Sequence, residues 1–234
     1  MTILLLLLCT FGQMDVGNIS NTNRFRLGFS YTASIPSMQN EKDFAEMTTD
    51  AGLSFQLGTL AQGISVDLLG DISDRFRFRG GVSFLNLEGS YSEDFNTGQQ
   101  IILAIITLGL ISHGSNEVID LNDQAISVEA EAYYILTKNQ SISLSVGAGP
   151  IYTFASRSLN TPLTVTSGSG NGFGFLGSVR LDQESYFKFF GLKFMFGLEA
   201  GYRMNRVNLS DEEADNYELD FSGPFLKFGP HIGF

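Results

Sequence analysis

The chain has 234 residues, no tryptophan, 21 phenylalanines, 26 glycines and a formal net charge of −11. Only 17% of residues are charged and mean hydropathy is +0.08, yet no apolar run reaches the roughly 20 residues of a membrane-spanning helix. These numbers exclude a helical membrane protein and a basic nucleic-acid binder, and leave one domain whose apolar surface is spread over short segments.

Residues 1–12 read as a secretory signal peptide. Met1 to Leu8 is an apolar run, and Thr10 and Gly12 are small residues at −3 and −1 of a cut before Gln13. The basic n-region is missing, as in a truncated start. Cys9 offers a lipidation site, against which Leu8 is too bulky for the preceding position. A cut before Gln13 leaves no cysteine in the exported chain, which suits an oxidising envelope without a disulfide framework. Residues 13–22 then form an N-terminal extension and 23–234 the folded domain.

From there, apolar residues recur on every second position, the signature of strands. Strand 1 sets Phe25, Leu27, Phe29 and Tyr31 against Arg24, Arg26, Gly28 and Ser30. Strand 2 lies within 52–70. Its apolar parity changes between Leu57 and Ile64, so a bulge near Gly58 or Gly63 is expected. In strand 3, Phe76, Phe78, Val82 and Phe84 alternate with Arg75, Arg77, Arg79 and Ser83. Strand 4 sets Ile126, Val128, Ala130 and Tyr134 against Glu129, Glu131 and Tyr133. Strand 5 runs Ile142–Phe154 over a Ser/Gly face, and strand 6 sets Phe173, Phe175, Val179 and Leu181 against Ser178, Arg180 and Asp182. Strand 7, over 190–203, looks the longest, with Phe194, Phe196, Leu198 and Tyr202 against Lys193, Glu199 and Arg203. Strand 8 ends the chain: Leu226, Phe228, Pro230, Ile232 and the terminal Phe234 frame Lys227 and His231.

Short polar turns at about 70–75, 137–141 and 182–186 alternate with longer connections at about 36–51, 92–124, 156–171 and 208–220. An even strand number with this alternation predicts an all-β fold: an eight-stranded antiparallel transmembrane β-barrel with short periplasmic turns and long extracellular loops. A lipocalin-like soluble barrel has the same periodicity with the apolar face inward. The small Gly/Ser faces punctuated by Arg and Lys, and the Phe and Tyr near strand ends, favour the membrane form.

The signal-like Leu4–Gly12, the glycine-rich Ser141–Phe154 and the terminal Gly233-Phe234 resemble the small eight-stranded outer-membrane β-barrels, the OmpA/OmpX-like and OmpW-like class. That resemblance covers the whole mature chain. It implies a Gram-negative outer-membrane location, contact with outer-membrane lipids and lipopolysaccharide, and recognition of the C-terminal strand by the barrel-insertion machinery. It is specific for architecture and not for activity, since the class holds adhesins, lipid A-modifying enzymes, porin-like channels and proteins without known activity.

The inward faces carry the candidate residues. Arg24, Arg26, Arg77, Arg79, Glu129, Glu131, Arg180, Lys193, Glu199 and Arg203 are expected to form a lumen charge network, joined by Arg75, Lys227, Asp67 and Asp182. Such a network reads as a polar plug. Because bases outnumber acids, an anion path through a small-solute channel is the alternative. The acidic stretches Asp211–Asp220 and Glu93–Asp123 read as solvated loops, with shared cations to lipopolysaccharide phosphate as a second reading; they match no calcium loop. In loop 2, Ile101, Ile102, Leu103, Ile105, Ile106 and Leu108 form an apolar segment expected to contact lipid, the barrel rim or an extracellular partner.

His113-Gly114-Ser115-Asn116 is similar to the His-x-Ser-Asn string of lipid A deacylase barrels, which would make His113 base and Ser115 nucleophile. It falls mid-chain, whereas that family carries it late on a membrane strand. No catalytic site, metal site or cofactor is therefore expected, and the chain reads as a non-enzymatic outer-membrane protein acting through its outer loops.

Overall fold

In a computed structural model of the chain, residues 25–38, 56–57, 60–92, 118–139, 142–160, 165–189, 192–210 and 217–233 are described. They form β1 (Phe25–Ser34), β2 (Gln56–Leu57), β3 (Ala61–Asp71), β4 (Phe76–Ser92), β5 (Val118–Lys138), β6 (Ile142–Asn160), β7 (Val165–Phe189), β8 (Leu192–Ser210), β9 (Tyr217–Asp220) and β10 (Gly223–Gly233). Every pairing among them is antiparallel, and β10 pairs with both β1 and β8, so the sheet closes on itself. The fragments β2 and β3 both lie on β4. Likewise β9 and β10 both lie on β8 in one register, Arg206 opposite Asp220 and Arg203 opposite Gly223. Ten elements thus make eight staves, and the fold is the expected eight-stranded antiparallel barrel.

Several boundaries differ from the sequence reading. β6 continues to Asn160 and β7 begins at Val165, inside the stretch read as a loop at 156–171. Gly168, Gly170 and Gly172 hid this strand from a search for apolar alternation. β7 also passes through the expected turn at 182–186 to Phe189, with a register shift between Glu184 and Lys188, and it is the longest strand instead of β8. Val118 opens β5, so Asp120 and Asp123 belong to a strand and not to loop 2. The expected irregularity between Leu57 and Ile64 also takes a different form. Leu57 faces Gly89 and Gln62 faces Asn86, five steps on one strand against three on β4. Two extra residues leave the strand's faces where they were; a one-residue bulge would have exchanged them.

The alternation sorts cleanly into two faces. Ile64 and Phe228 are 64% and 50% exposed, and Phe29, Phe154, Phe173, Phe196 and Tyr202 stand out with them on the exterior. Arg26, Arg77, Arg79, Arg180, Glu129 and Glu131 are buried inside. A contiguous apolar outside around an ionic inside is the inverse of a soluble barrel and matches a hydrocarbon solvent. The lipocalin-like alternative fails on this point. Ring pairs such as Tyr31–Phe228 and Phe76–Tyr134, with centroids 5.4 and 5.5 Å apart, decorate the outside.

Tight curvature needs inward positions without side chains. A Cβ on Gly149 would sit 1.8 Å from the Ala130 carbonyl oxygen, and one on Gly170 would sit 1.9 Å from that of Asn208. Glycine lets neighbouring strands close to that distance, and the glycine-rich composition is explained by the narrow bore of eight staves.

Candidate functional site

The lumen is the candidate site, and its described residues fill it with an ionic layer, a hydroxyl and amide tier and an apolar cluster. Nearest the turns, Asp71 at the end of β3 accepts from Arg26 Nη2 and Arg77 Nε, each at 2.6 Å, and pairs with Lys138 at 3.2 Å. Across the bore, Asp182 of β7 pairs with Arg77, with Arg180 at 2.9 Å and with Arg26 at 3.7 Å. One turn of the pleat higher, Arg79 is a hub. Its guanidinium meets Asp67 at 2.8 Å, Glu129 at 2.6 Å, Glu131, and Glu199 at 3.3 Å. Arg180 Nη1 also donates to Glu199 at 3.0 Å, Lys227 pairs with Glu129, and Arg180 Nη2 donates to His231 Nε2 at 2.8 Å. Neutral donors complete the carboxylates: Ser83 Oγ to Glu129 at 2.9 Å, and Tyr133 OH and Ser178 Oγ to Glu131 at 2.7 and 2.9 Å.

These contacts follow from strand parity. Arg77 and Arg79 stand two residues apart on β4, so both point inward, and Glu129 and Glu131 do the same on the adjoining β5. Burying any one of these ions alone would cost several kcal/mol, which shared carboxylates and guanidiniums offset.

Above the ionic layer the chemistry changes. A hydroxyl and amide tier comes first: Ser127 and Thr153 share a hydrogen bond at 2.7 Å, and Asn205 Nδ2 donates to Thr153 at 2.6 Å. Next comes a buried apolar cluster including Leu85, Leu87, Ala125, Ala155, Val207, Leu209, Leu219 and Phe221. Beside it Arg157 clasps Asp123 through two bonds of 2.7 and 2.8 Å. Sequence reasoning missed this upper tier. The available signal was the run Leu85-Asn86-Leu87, where the inward parity of β4 becomes apolar. Asp71 was also missed, although it shares the face of Asp67 four residues away.

Of the expected network, Arg26, Arg77, Arg79, Glu129, Glu131, Arg180 and Glu199 meet as described. Arg203 is inward, buried and under the attraction of Glu129, but it joins through no hydrogen bond: its Nε, Nη1 and Nη2 have no partner among the described residues, and the group lies 5.0 Å over the Phe225 ring. Alternation placed the residue; it could not supply an acceptor. Arg75 is exposed and donates to Tyr134 OH at 3.0 Å instead of entering the bore. The expected excess of base is therefore reduced. Among described lumen groups, Arg26, Arg77, Arg79, Arg180, Arg203 and Lys227 face Asp67, Asp71, Glu129, Glu131, Asp182 and Glu199. The acidic stretch before Asp220 also has a base beside it, Arg206, 3.4 Å from Glu218 and 3.7 Å from Asp220. Arg24, Ile101, Ile102, Leu103, Ile105, Ile106, Leu108, His113, Ser115 and the signal region lie outside the described residues, as does the side chain of Lys193.

A closed eight-stranded barrel with an apolar exterior and an ionic interior defines a small outer-membrane β-barrel protein, located in the outer membrane of a Gram-negative cell envelope. The chain resembles solved members of that class in fold. The outer membrane protein OprG from Pseudomonas aeruginosa matches with a TM-score of 0.52 at 10% identity, over 91% of this chain and 96% of that one. Ail, the attachment invasion locus protein of Yersinia pestis, matches with a TM-score of 0.45 at 12% identity, over 90% and 97% of the two chains. Neisserial surface protein A gives 0.41 at 12% identity, over 91% and 98%. No protein-family model matches the chain, and no curated protein matches it.

Proposed function

We propose that this is a non-conducting, non-enzymatic outer-membrane barrel that acts through its outer surface, by contact with outer-leaflet lipid or an extracellular partner. One observation carries the reading: the bore is blocked twice, by the Arg79 hub and by the Leu85–Leu209 apolar tier. A solute would have to break shared ion pairs at one level and open a packed core at the other. The acidic residues of 93–117 and 211–216 and the apolar Ile101–Ile111, all outside the described residues, are the sequence features that such a protein would use. Planar-bilayer recording of the folded protein is the test. The expected trace shows no steady conductance; a stable open level would replace this reading with a small-solute channel. Arg203, which has no hydrogen-bond acceptor among the described residues, is the feature that favours that second reading, because such a buried cation suits a passing anion.

A further inference from the structure

Among the described residues the exterior of the barrel carries a groove with a defined chemistry. Following the pairing across the wall, Leu85, Ala125, Ala155, Gly170 and Leu209 form one inward-facing row. Its middle three members are Ala, Ala and Gly, so this part of the wall carries little inward side-chain volume of its own. On the outside lies a groove of about 470 Å³ spanning β4 to β8.

Two outward rows line it. Phe84, Ile126 and Phe154 lead to Asn171 in the first, and Gln124, Ser156, Ser169 and Ser210 make the second. Within a single step along the strands the surface passes from aromatic and branched apolar to uncharged polar. Phe84, Ile126 and Phe154 in its lining belong to the exposed apolar exterior of the barrel. No Lys, Arg, Asp or Glu is among its described lining residues.

We infer that the groove is a binding site for one outer-leaflet glycolipid, held where its acyl chains join its sugar. Acyl chains lie against Phe84, Ile126 and Phe154. Hydroxyl and amide groups of the head exchange hydrogen bonds with Gln124, Ser156, Asn171 and Ser169. An uncharged rim recognises these groups and gives a phosphate no counter-charge. Ordinary belt positions offer apolar contact alone, whereas here the same lipid gains both kinds of contact in a concavity. The inference rests on the reading that the outer surface is where the protein acts, but it is separable from it, since lipid retention and bilayer conductance are independent measurements.

Native mass spectrometry of the detergent-folded full chain tests it, with dephosphorylated lipid A and phosphatidylglycerol as probes. The wild type is expected to retain the glycolipid in preference to the phospholipid. Ser156→Leu with Asn171→Leu should lower retention about tenfold, the equivalent of one net hydrogen bond. Phe228→Leu, on the exposed face of β10 opposite Leu198 and Tyr31 and away from the groove, should not change it. If the double variant fails to show the folded band on unheated gels, Ser169→Phe fills the groove from outside and is read the same way. Unchanged retention in the groove variants, preference for phosphatidylglycerol, or a dimer that disappears with them would overturn the assignment, the last by showing a second copy of the chain as the occupant.

Discussion

Toward the short turns the lumen is packed with Arg26, Arg77, Arg79 and Arg180 against Asp71, Asp67, Asp182 and Glu199, whereas toward the other end Leu85, Leu87, Val207 and Leu209 fill the same bore. Both halves must occupy a narrow space with side chains from eight staves. The ionic half gains geometric definition, because each guanidinium accepts only a few arrangements of carboxylates. The apolar half gains transfer energy and tolerates rearrangement, because Leu and Val contacts are non-directional. A barrel with the ionic half alone would leave hydrated charge open to the extracellular side. Capping it with an apolar tier keeps water from the ion pairs and strengthens them.

The largest expected loss comes from breaking the hub. Arg79→Ala leaves Asp67, Glu129, Glu131 and Glu199 as buried neighbours with fewer counter-charges. It should cost about 3–5 kcal/mol, the usual penalty for removing one member of a buried pair, and be read as loss of the folded, heat-modifiable band or a large fall in thermal unfolding temperature. A loss under about 1 kcal/mol would mean that the ionic half is hydrated and that the contrast between the halves is overstated.

Leu85→Ala tests the apolar half. Its expected cost is about 2 kcal/mol, the lower end for a core leucine, since Ala125 and Leu209 beside it leave room to relax. Denaturant titration of the folded barrel in micelles measures it. A cost equal to that of Arg79→Ala would show that apolar packing and not the ion network dominates stability.

Between the halves, Arg203→Met separates packing from charge. The guanidinium has no hydrogen-bond partner among the described residues and stacks over Phe225, so an apolar side chain of similar length should leave stability unchanged or raise it by about 1 kcal/mol. A fall of more than about 2 kcal/mol in the same titration would identify a bound acceptor at this position.

The smallest effect should come from outside both halves. Ser73 in the β3–β4 turn accepts from the backbone N–H groups of Arg75 and Phe76 at 3.3 and 3.1 Å while exposed. Ser73→Ala should cost about 0.5 kcal/mol, because water replaces an exposed turn bond.

Much of the fold is legible in the residue order because a strand has a period of two and the two faces meet different solvents. Phe76, Phe78, Val82 and Phe84 alternate with Arg77, Arg79 and Ser83, and this assigns each residue to lipid or lumen before any partner is known. The same logic failed where glycine and serine replace apolar residues, as from Ser167 to Gly172, since neither carries a face signal and the pairing itself makes the strand. It failed again at Leu85 and Leu87, where the inward positions turn apolar and the parity of the pattern inverts although the strand continues.

What no local pattern contains is who meets whom inside. Lys227 lies 98 residues from Glu129, Arg77 lies 105 from Asp182, and Arg79 lies 120 from Glu199. These distances are closed by the pairing of β10 with β1 and by the stagger of eight staves around a narrow bore, which set the height of each inward residue. Periodicity therefore assigned the charges to the interior, and closure of the sheet selected the partners and left Arg203 without a hydrogen-bond acceptor among the described residues. A side chain's face depends on its neighbours two residues away, whereas its height in the bore depends on every strand that closes the ring.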